Sequence, residues 1–165
     1  MDVKPIGADE GLIYRDLRLR ALADSPDAFG DTLEHALGTP RETWIERARE
    51  IAADGGHEQL FIARDNGIPC GTTYVRMASG VAHIYAMWVD PAFRRRGIAS
   101  GLLATATAWA ENRGATLLEL WVTAGNDGAA RLYERAGFQL TGRQDALRPG
   151  SKLKIHEMAR QCGRR

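Results

Sequence analysis

Met87-Trp88-Val89-Asp90-Pro91-Ala92-Phe93-Arg94-Arg95-Arg96-Gly97-Ile98-Ala99-Ser100-Gly101-Leu102-Leu103 decides the reading of this chain. An apolar run ends at Asp90-Pro91, a pair that stops a strand. From Ile98 onward Leu102, Leu103, Ala106 and Ala110 recur at the spacing of a helix with one buried stripe. The start of that helix leaves backbone N–H groups without partners, and the helix dipole adds partial positive charge there. Such an end receives anions, phosphate above all. Gly97 and Ala99 are small enough for phosphate oxygens to approach the main chain, and Arg94, Arg95 and Arg96 bring charge beside them. Taken alone, a basic run is equally a solvated surface or a nucleic-acid patch; its place between a strand and a helix start favours a phosphate. No Lys-Ser or Lys-Thr follows the glycine and no GxGxxG spacing occurs, so the loop fits neither a nucleoside-triphosphate P-loop nor a Rossmann site. A phosphate-bearing cofactor is expected.

Working outward, Val3 to Ile6 reads as a short strand and Gly11 to Asp24 as a helix carrying Ile13, Leu17 and Ala21 on one side. Ser25 to Gly30 is a loop. Thr39-Pro40-Arg41-Glu42 reads as a helix start, with Thr39 as cap, proline in the first turn and Glu42 completing a capping box. This helix runs to about Ala53, before Gly55-Gly56. Gln59 to Arg64 and Ile68 to Met77 form a hairpin about Asp65-Asn66-Gly67, because Asn-Gly accepts the positive φ of a tight turn. Ser79-Gly80 turns the chain into a third antiparallel strand, Val81 to Val89. The helix from Ile98 to Asn112 follows and stops at Gly114. Leu117 to Thr123 alternates little and is expected to be covered on both faces. Asn126 to Ala136 is a short helix closed by Gly137, and Phe138 to Arg143 and Leu153 to Met158 are the last strands. Strand, helix and strand from Val81 to Thr123 make a βαβ unit, which sets those two strands parallel. The expected fold is a single α/β domain over residues 1–165, with a mixed, mostly antiparallel sheet and about four helices.

Bulk properties exclude more than they assign. The formal net charge of +1 gives no electrostatic reason to expect nucleic acid or an anionic membrane. No signal-peptide core or membrane-spanning run is present, and Cys70 and Cys162 lie far apart, so a cytoplasmic chain without disulfides is expected. His35, His57, His83 and His156 form no ligand pattern, and no metal is expected.

Two stretches carry a family resemblance. Val89-Asp90-Pro91-Ala92-Phe93-Arg94-Arg95-Arg96-Gly97-Ile98-Ala99 resembles the signature V-x-P-x-x-[RQ]-x-x-G-x-[GA] of the GNAT family of N-acetyltransferases. Asn126-Asp127-Gly128-Ala129-Ala130-Arg131-Leu132-Tyr133-Glu134-Arg135-Ala136-Gly137-Phe138 resembles its second motif, N-x-x-A-x-x-x-Y-x-x-x-G-F. The resemblance spans about Val81 to Arg143 and implies a fold in which the two parallel strands splay apart. It implies acetyl-CoA as cosubstrate and an amine as acceptor. By resemblance, main-chain groups of Met87, Trp88 and Val89 meet the pantetheine arm, and the Val89 N–H faces the thioester oxygen. The loop from Arg94 through Arg95, Arg96, Gly97, Ile98, Ala99 and Ser100 holds the pyrophosphate, while Asn126 and Ala129 flank the arm. Tyr133 is the expected catalytic acid at the departing sulfur; outside this motif it would read as a buried helical aromatic.

The base is open. His83, Tyr85 and Glu119 can reach the acceptor side, and His83 is placed first because an unperturbed imidazole titrates near neutral pH. The acceptor pocket is expected from the first helices, the loop around Ser25 to Asp31 and the tail beyond Arg143. The acceptor itself is a small metabolite, a polyamine-like molecule or a protein amino group. Trp44 and Trp88 read as core or lid residues. A catalytically silent acyl-CoA-binding module and, more distantly, nucleic-acid binding through Arg94 to Arg96 are the competing readings; a homodimer is compatible with either.

Overall fold

The computed structural model describes residues 1–163; the expected domain over 1–165 ends in Arg164 and Arg165, which lie outside the described residues. Strands β1 (Asp2–Pro5), β2 (Glu58–Asp65), β3 (Ile68–Ala78), β4 (Val81–Val89), β5 (Leu117–Thr123), β6 (Gln139–Ala146) and β7 (Lys154–Gln161) form one sheet in the order β1-β2-β3-β4-β5-β7-β6. Every neighbouring pair is antiparallel except β4 and β5, which run parallel as the βαβ unit requires. Both hairpin turns have the backbone their residues allow. Asn66 and Gly67 take φ of 50° and 80°, as do Ser79 and Gly80, so each two-residue loop closes a tight strand pair.

Five α-helices cover the sheet among the described residues: α1 (Gly11–Asp24), α2 (Leu33–Gly38), α3 (Arg41–Ala53), α4 (Ile98–Glu111) and α5 (Asp127–Arg135). The sequence anticipates four; the added one is α2, a single short element whose only buried residue is Ala36, too little for periodicity to register. Its presence also moves the start of α3. Thr39 closes α2, its N–H donating to the Ala36 carbonyl and its hydroxyl to the His35 carbonyl, so Pro40 becomes the N-cap and no capping box forms. The last two strands run several residues past their apolar patterns: β6 continues through polar residues to Ala146↔Lys154, and β7 continues beyond Met158 because Arg160 and Gln161 pair with Leu118 and Leu117 of β5.

The sheet separates two apolar layers. One layer joins Leu102 of α4 to Phe61, Val75, Ala82, Ile84, Leu118 and Met158 of the sheet; the other joins Leu17 and Leu22 of α1 and Ile51 of α3 to Leu60, Ile62 and Trp88. Alternation along β2 feeds both layers, Leu60 and Ile62 to one side and Phe61 and Ala63 to the other. Each fully buried aliphatic side chain contributes about 1.5–3 kcal/mol by leaving water. β5 differs from its expected double cover: Leu117, Glu119 and Trp121 are only half-buried, alternating with buried Leu118, Leu120 and Val122. Leu118, Leu120 and Val122 belong to the core layer that contains Leu102, while Trp121 lines a cavity. No helix among the described residues is long and apolar enough to cross a membrane.

The α1 and α3 helices touch through Gly11, where an added Cβ would lie 2.6 Å from the Ile45 Cα and 2.7 Å from the Trp44 carbonyl oxygen. Both neighbours are backbone and cannot rotate aside. Gly11→Ala is therefore expected to destabilise the protein by about 1–3 kcal/mol, read from urea denaturation; an unchanged midpoint would contradict this packing.

Candidate active site

β4 and β5 pair through only three residues each, Val81↔Leu117, Ala82↔Leu118 and His83↔Glu119, and then part. The parting coincides with a bulge. Ala86 takes φ of 51°, and the β3–β4 register shifts between Tyr74↔Tyr85 and Thr72↔Trp88. A bulge bends its strand and re-aims the later residues. Beyond it, Asp90 donates its N–H to the Cys70 carbonyl on β3. Alternation then turns the N–H and C=O of Val89 away from β3, into the fork. The carbonyl accepts from Arg94 Nε at 2.9 Å; the N–H faces the opening.

The open end of the fork meets the N-terminus of α4. Pro91 to Phe93 makes a single 3-10 turn, Arg95 takes φ of 64°, and Gly97 caps the helix in the left-handed region at φ 78°. The cap has no side-chain oxygen, so the first N–H groups of α4 have no protein acceptor there. A Cβ built on Gly97 meets nothing within 4 Å, so the space over this backbone is clear. It opens into a cleft of about 670 Å³ whose walls include Met87, Trp88, Val89, Arg94, Arg95, Gly97, Ile98, Ala99, Ser100, Asn126, Ala129 and Tyr133.

The three arginines have different surroundings. Arg94 donates from Nε to Val89 and from Nη2 to the Asp24 carboxylate. Arg96 donates to Asp65 at the hairpin tip, 2.9 Å away, stacks over Phe93 and does not line the cleft. The Arg96 guanidinium is thus paired beside the cleft rather than in it. Arg95 lines the cleft and is exposed, and Arg135 on α5 stands across from it.

Asp24, the last residue of α1, collects three donors: Ser25 Oγ, Trp88 Nε1 at 2.9 Å and Arg94. Burial alone would raise its carboxyl; the hydrogen bonds from Ser25, Trp88 and Arg94 outweigh that and hold it below the usual aspartate range. Arg20, one turn earlier, pairs with Asp90 at 2.9 Å. The C-terminal turn of α1 is thus fastened to both ends of the phosphate-type loop.

A second cavity, of about 310 Å³, lies under the loop Ala28-Phe29-Gly30 and shares Ala28, Met87, Asn126, Ala129 and Tyr133 with the first. Arg148 holds this loop through the Pro26 and Phe29 carbonyls, and Thr123 Oγ1 through the Asp27 carbonyl. Tyr133 stands at the junction. It is 8% exposed, packs edge-on against Phe138, and its hydroxyl has no hydrogen-bond partner among the described residues. Burial pushes its phenol up to about 12, so it stays protonated across the physiological range. Asn126 caps α5 by accepting the Ala129 N–H through Oδ1, which leaves its amide NH₂ for the cleft.

His83 lies elsewhere. It lines neither cavity; its Nδ1 sits 3.4 Å from Glu119 at the vertex of the fork, and its ring stacks on Tyr85. Tyr85 does line the smaller cavity, and Glu119 does not. Sequence reasoning passed over Asp24, Arg18 and Arg135. Asp24 and Arg18 are ordinary charged residues of an amphipathic helix; their position under the site comes from how α1 crosses the sheet, which no local pattern carries. Arg135 stands inside the second quoted motif, at a position the motif leaves free.

Comparison with known proteins agrees with this geometry. Residues 27–138 match the family model for the acetyltransferase (GNAT) family. The chain is 31% identical over 133 residues to a mycothiol acetyltransferase of Clavibacter sepedonicus, an alignment covering 80% of this chain and 40% of the relative. The chain spans about two-fifths of the length of the curated relatives it matches. Its fold superposes on the ribosomal-protein-alanine N-acetyltransferase of Brucella melitensis with a TM-score of 0.80, at 18% identity over 98% of this chain and 100% of the other. A ribosomal L7/L12 alpha-N-protein acetyltransferase solved with coenzyme A gives 0.79, at 17% identity over 96% and 92%. With the family model covering well over half of its length, the chain belongs to the acetyltransferase (GNAT) family.

Proposed function

We propose that this chain is an N-acetyltransferase that moves the acetyl group of acetyl-CoA to a primary amine. One observation carries the reading: a single wall, from Met87 to Tyr133, joins the start of α4 with its unpaired N–H groups to a smaller cavity. A phosphate-bearing donor at one end and an acceptor at the other would meet at Tyr133. The residues present fit acetyl-CoA. The clear backbone over Gly97 suits pyrophosphate, Arg95 and Arg135 offer charge at the rim, and the fork offers unpaired strand groups to an amide-bearing arm. The second motif's asparagine and tyrosine both face the junction.

Bound there, acetyl-CoA supplies a thioester open to amine attack and a thiol as leaving group. The Val89 N–H, turned into the fork, would stabilise charge developing on the carbonyl oxygen. Asn126 would orient the arm through its amide. Tyr133 keeps its proton and would donate a hydrogen bond or proton to the sulfur as the C–S bond breaks, and the proton lost by the attacking amine balances the one the thiol gains. No carboxylate or imidazole lines the acceptor cavity among the described residues. Deprotonation by His83 would thus need water to carry the proton from the cavity; a pH–rate profile unchanged in His83→Ala would remove it from the mechanism.

Two measurements test the proposal. Calorimetric titration with acetyl-CoA should give binding in the wild type and none in Gly97→Glu, whose carboxylate would occupy and repel the phosphate position. Gly97→Asn, which tolerates the left-handed backbone, serves as the fold control and should bind measurably. Failure of the folded wild type to bind acetyl-CoA ends the proposal, and binding without turnover on a broad amine panel favours the silent module. Where turnover occurs, Tyr133→Phe should lower kcat by about 10²-fold or more. With the phenol pushed up to about 12, its acid form persists, and kcat should not fall on the alkaline side before pH 10. An alkaline decline through pH 8–9 that disappears in Tyr133→Phe would contradict this assignment.

A further inference from the structure

The smaller cavity has an unusual charge pattern. Of the residues lining it, only Arg18 is formally charged, and the rest are apolar, aromatic or neutral polar. The nearby carboxylates are engaged away from it. Glu119 faces His83, Glu157 accepts from Thr141 and Arg143, and Glu58 accepts from Arg47 and Tyr74. A site built for a polyamine or another multiply cationic acceptor would present carboxylates to it; this one presents a guanidinium.

Arg18 projects from α1 and rests over the Phe29 ring, 4.9 Å from its centre. Its side chain is 16% exposed, and Nη1 is buried without a hydrogen-bond partner. The nearest carboxylate oxygen, Asp31 Oδ2, stands 3.8 Å from Nη2, beyond hydrogen-bonding reach. Asp31 is occupied on its other oxygen, which accepts from the Thr32 N–H at 2.8 Å and meets His35 at 2.7 Å. Arg18 is thus an ion-paired guanidinium whose Nη1 has no acceptor beside the cavity, and a buried donor without an acceptor is unfavourable until something supplies one. A carboxylate entering from the cavity does so with a small rotation of the guanidinium and matches the fork in both shape and charge.

Resting on the acetyltransferase reading, we infer that the acceptor is a free amino acid with an apolar side chain, and that Arg18 is the residue that selects its carboxylate. Three features converge on that class. The guanidinium takes the carboxylate. Phe29, Tyr85, Trp121, Leu147 and Ile155 line the rest of the space and suit an apolar side chain. The volume, about 310 Å³, lies at the small end of ligand cavities, roughly 300–1,000 Å³, and the tethered loop above it leaves little room for a polypeptide.

The test uses matched pairs, leucine with isoamylamine and phenylalanine with phenethylamine, which differ only in the carboxylate. A third arm, leucyl-glycinamide, imitates a protein N-terminus, with an α-amine and no free carboxylate. Binding is measured by calorimetry on the full chain saturated with coenzyme A, and turnover by thiol release from acetyl-CoA. The expected result is a preference of at least about 10-fold for each amino acid over its decarboxylated partner, in affinity and in kcat/KM. In Arg18→Met the preference should shrink to within about 2-fold through a rise in the amino-acid KM, and Arg18→Lys should restore part of it. Because the readout is a ratio within one variant, a general loosening of α1 lowers both members and leaves the ratio intact. Equal use of both members by the wild type, preference for the dipeptide amide, binding of no amino acid in the panel, or a ratio that survives Arg18→Met would each overturn the inference. Acetyl-CoA binding reports separately on the acetyltransferase reading, so the two fail distinguishably.

Discussion

The parting of β4 from β5 is the constraint on which the rest of the site depends. Parallel strands continue to exchange hydrogen bonds unless something bends one of them away, because a buried strand edge without partners is costly. Here three paired residues on each strand hold the vertex, and the bulge at Ala86 turns β4 out of register with its neighbour. β5 is kept in place on its other side by β7, paired along its whole length from Leu117↔Gln161 to Thr123↔Ile155. The opening is thus built between two firmly held walls. An extended arm with amide groups laid in the fork meets strand edges that the protein itself leaves unpaired.

The second dependence is the attachment of α1 to the loop before α4. Asp24 receives Trp88, Arg94 and Ser25, while Arg20 reaches Asp90 and stacks on Trp88. The helix that carries Arg18 to the acceptor cavity is therefore fastened to the loop proposed to carry phosphate. Geometry on the donor side and on the acceptor side is set by the same few contacts. Charge within the Arg94–Arg96 run is divided accordingly. Arg94 fixes the Val89 carbonyl and α1, Arg96 ties the loop to Asp65 on the β2–β3 hairpin, and Arg95 remains free at the cleft with Arg135 opposite.

Features set by local chemistry were legible in the sequence. Asn66-Gly67 and Ser79-Gly80 announce their turns because few other residues accept those φ angles, and Gly97 with Ile98 announces a helix start. The crossover length between β4 and β5 makes them parallel without reference to anything distant. Where the outcome depends on tertiary placement, the sequence was silent or misleading. Nothing in Leu33 to Gly38 distinguishes a helix from the loop around it, and the cap expected at Thr39 was taken by that helix. The half-open face of β5 follows from the fork, which periodicity does not encode. The pairing of Arg96 with Asp65 on the hairpin tip joins residues far apart in sequence, which no local pattern carries. His83 shared a strand face with Tyr85 but came to rest at the closed end of the fork with Glu119.

On this reading the fork and the start of α4 together receive one elongated, phosphate-bearing molecule. Amide hydrogen exchange followed residue by residue by NMR, with and without acetyl-CoA, tests this most directly. Added protection is expected at Val89 and across Gly97 to Ser100, with little change at the β4–β5 vertex, where Val81 to His83 are already paired. Unchanged exchange at those amides in the presence of saturating acetyl-CoA, or protection confined to another surface, would contradict it.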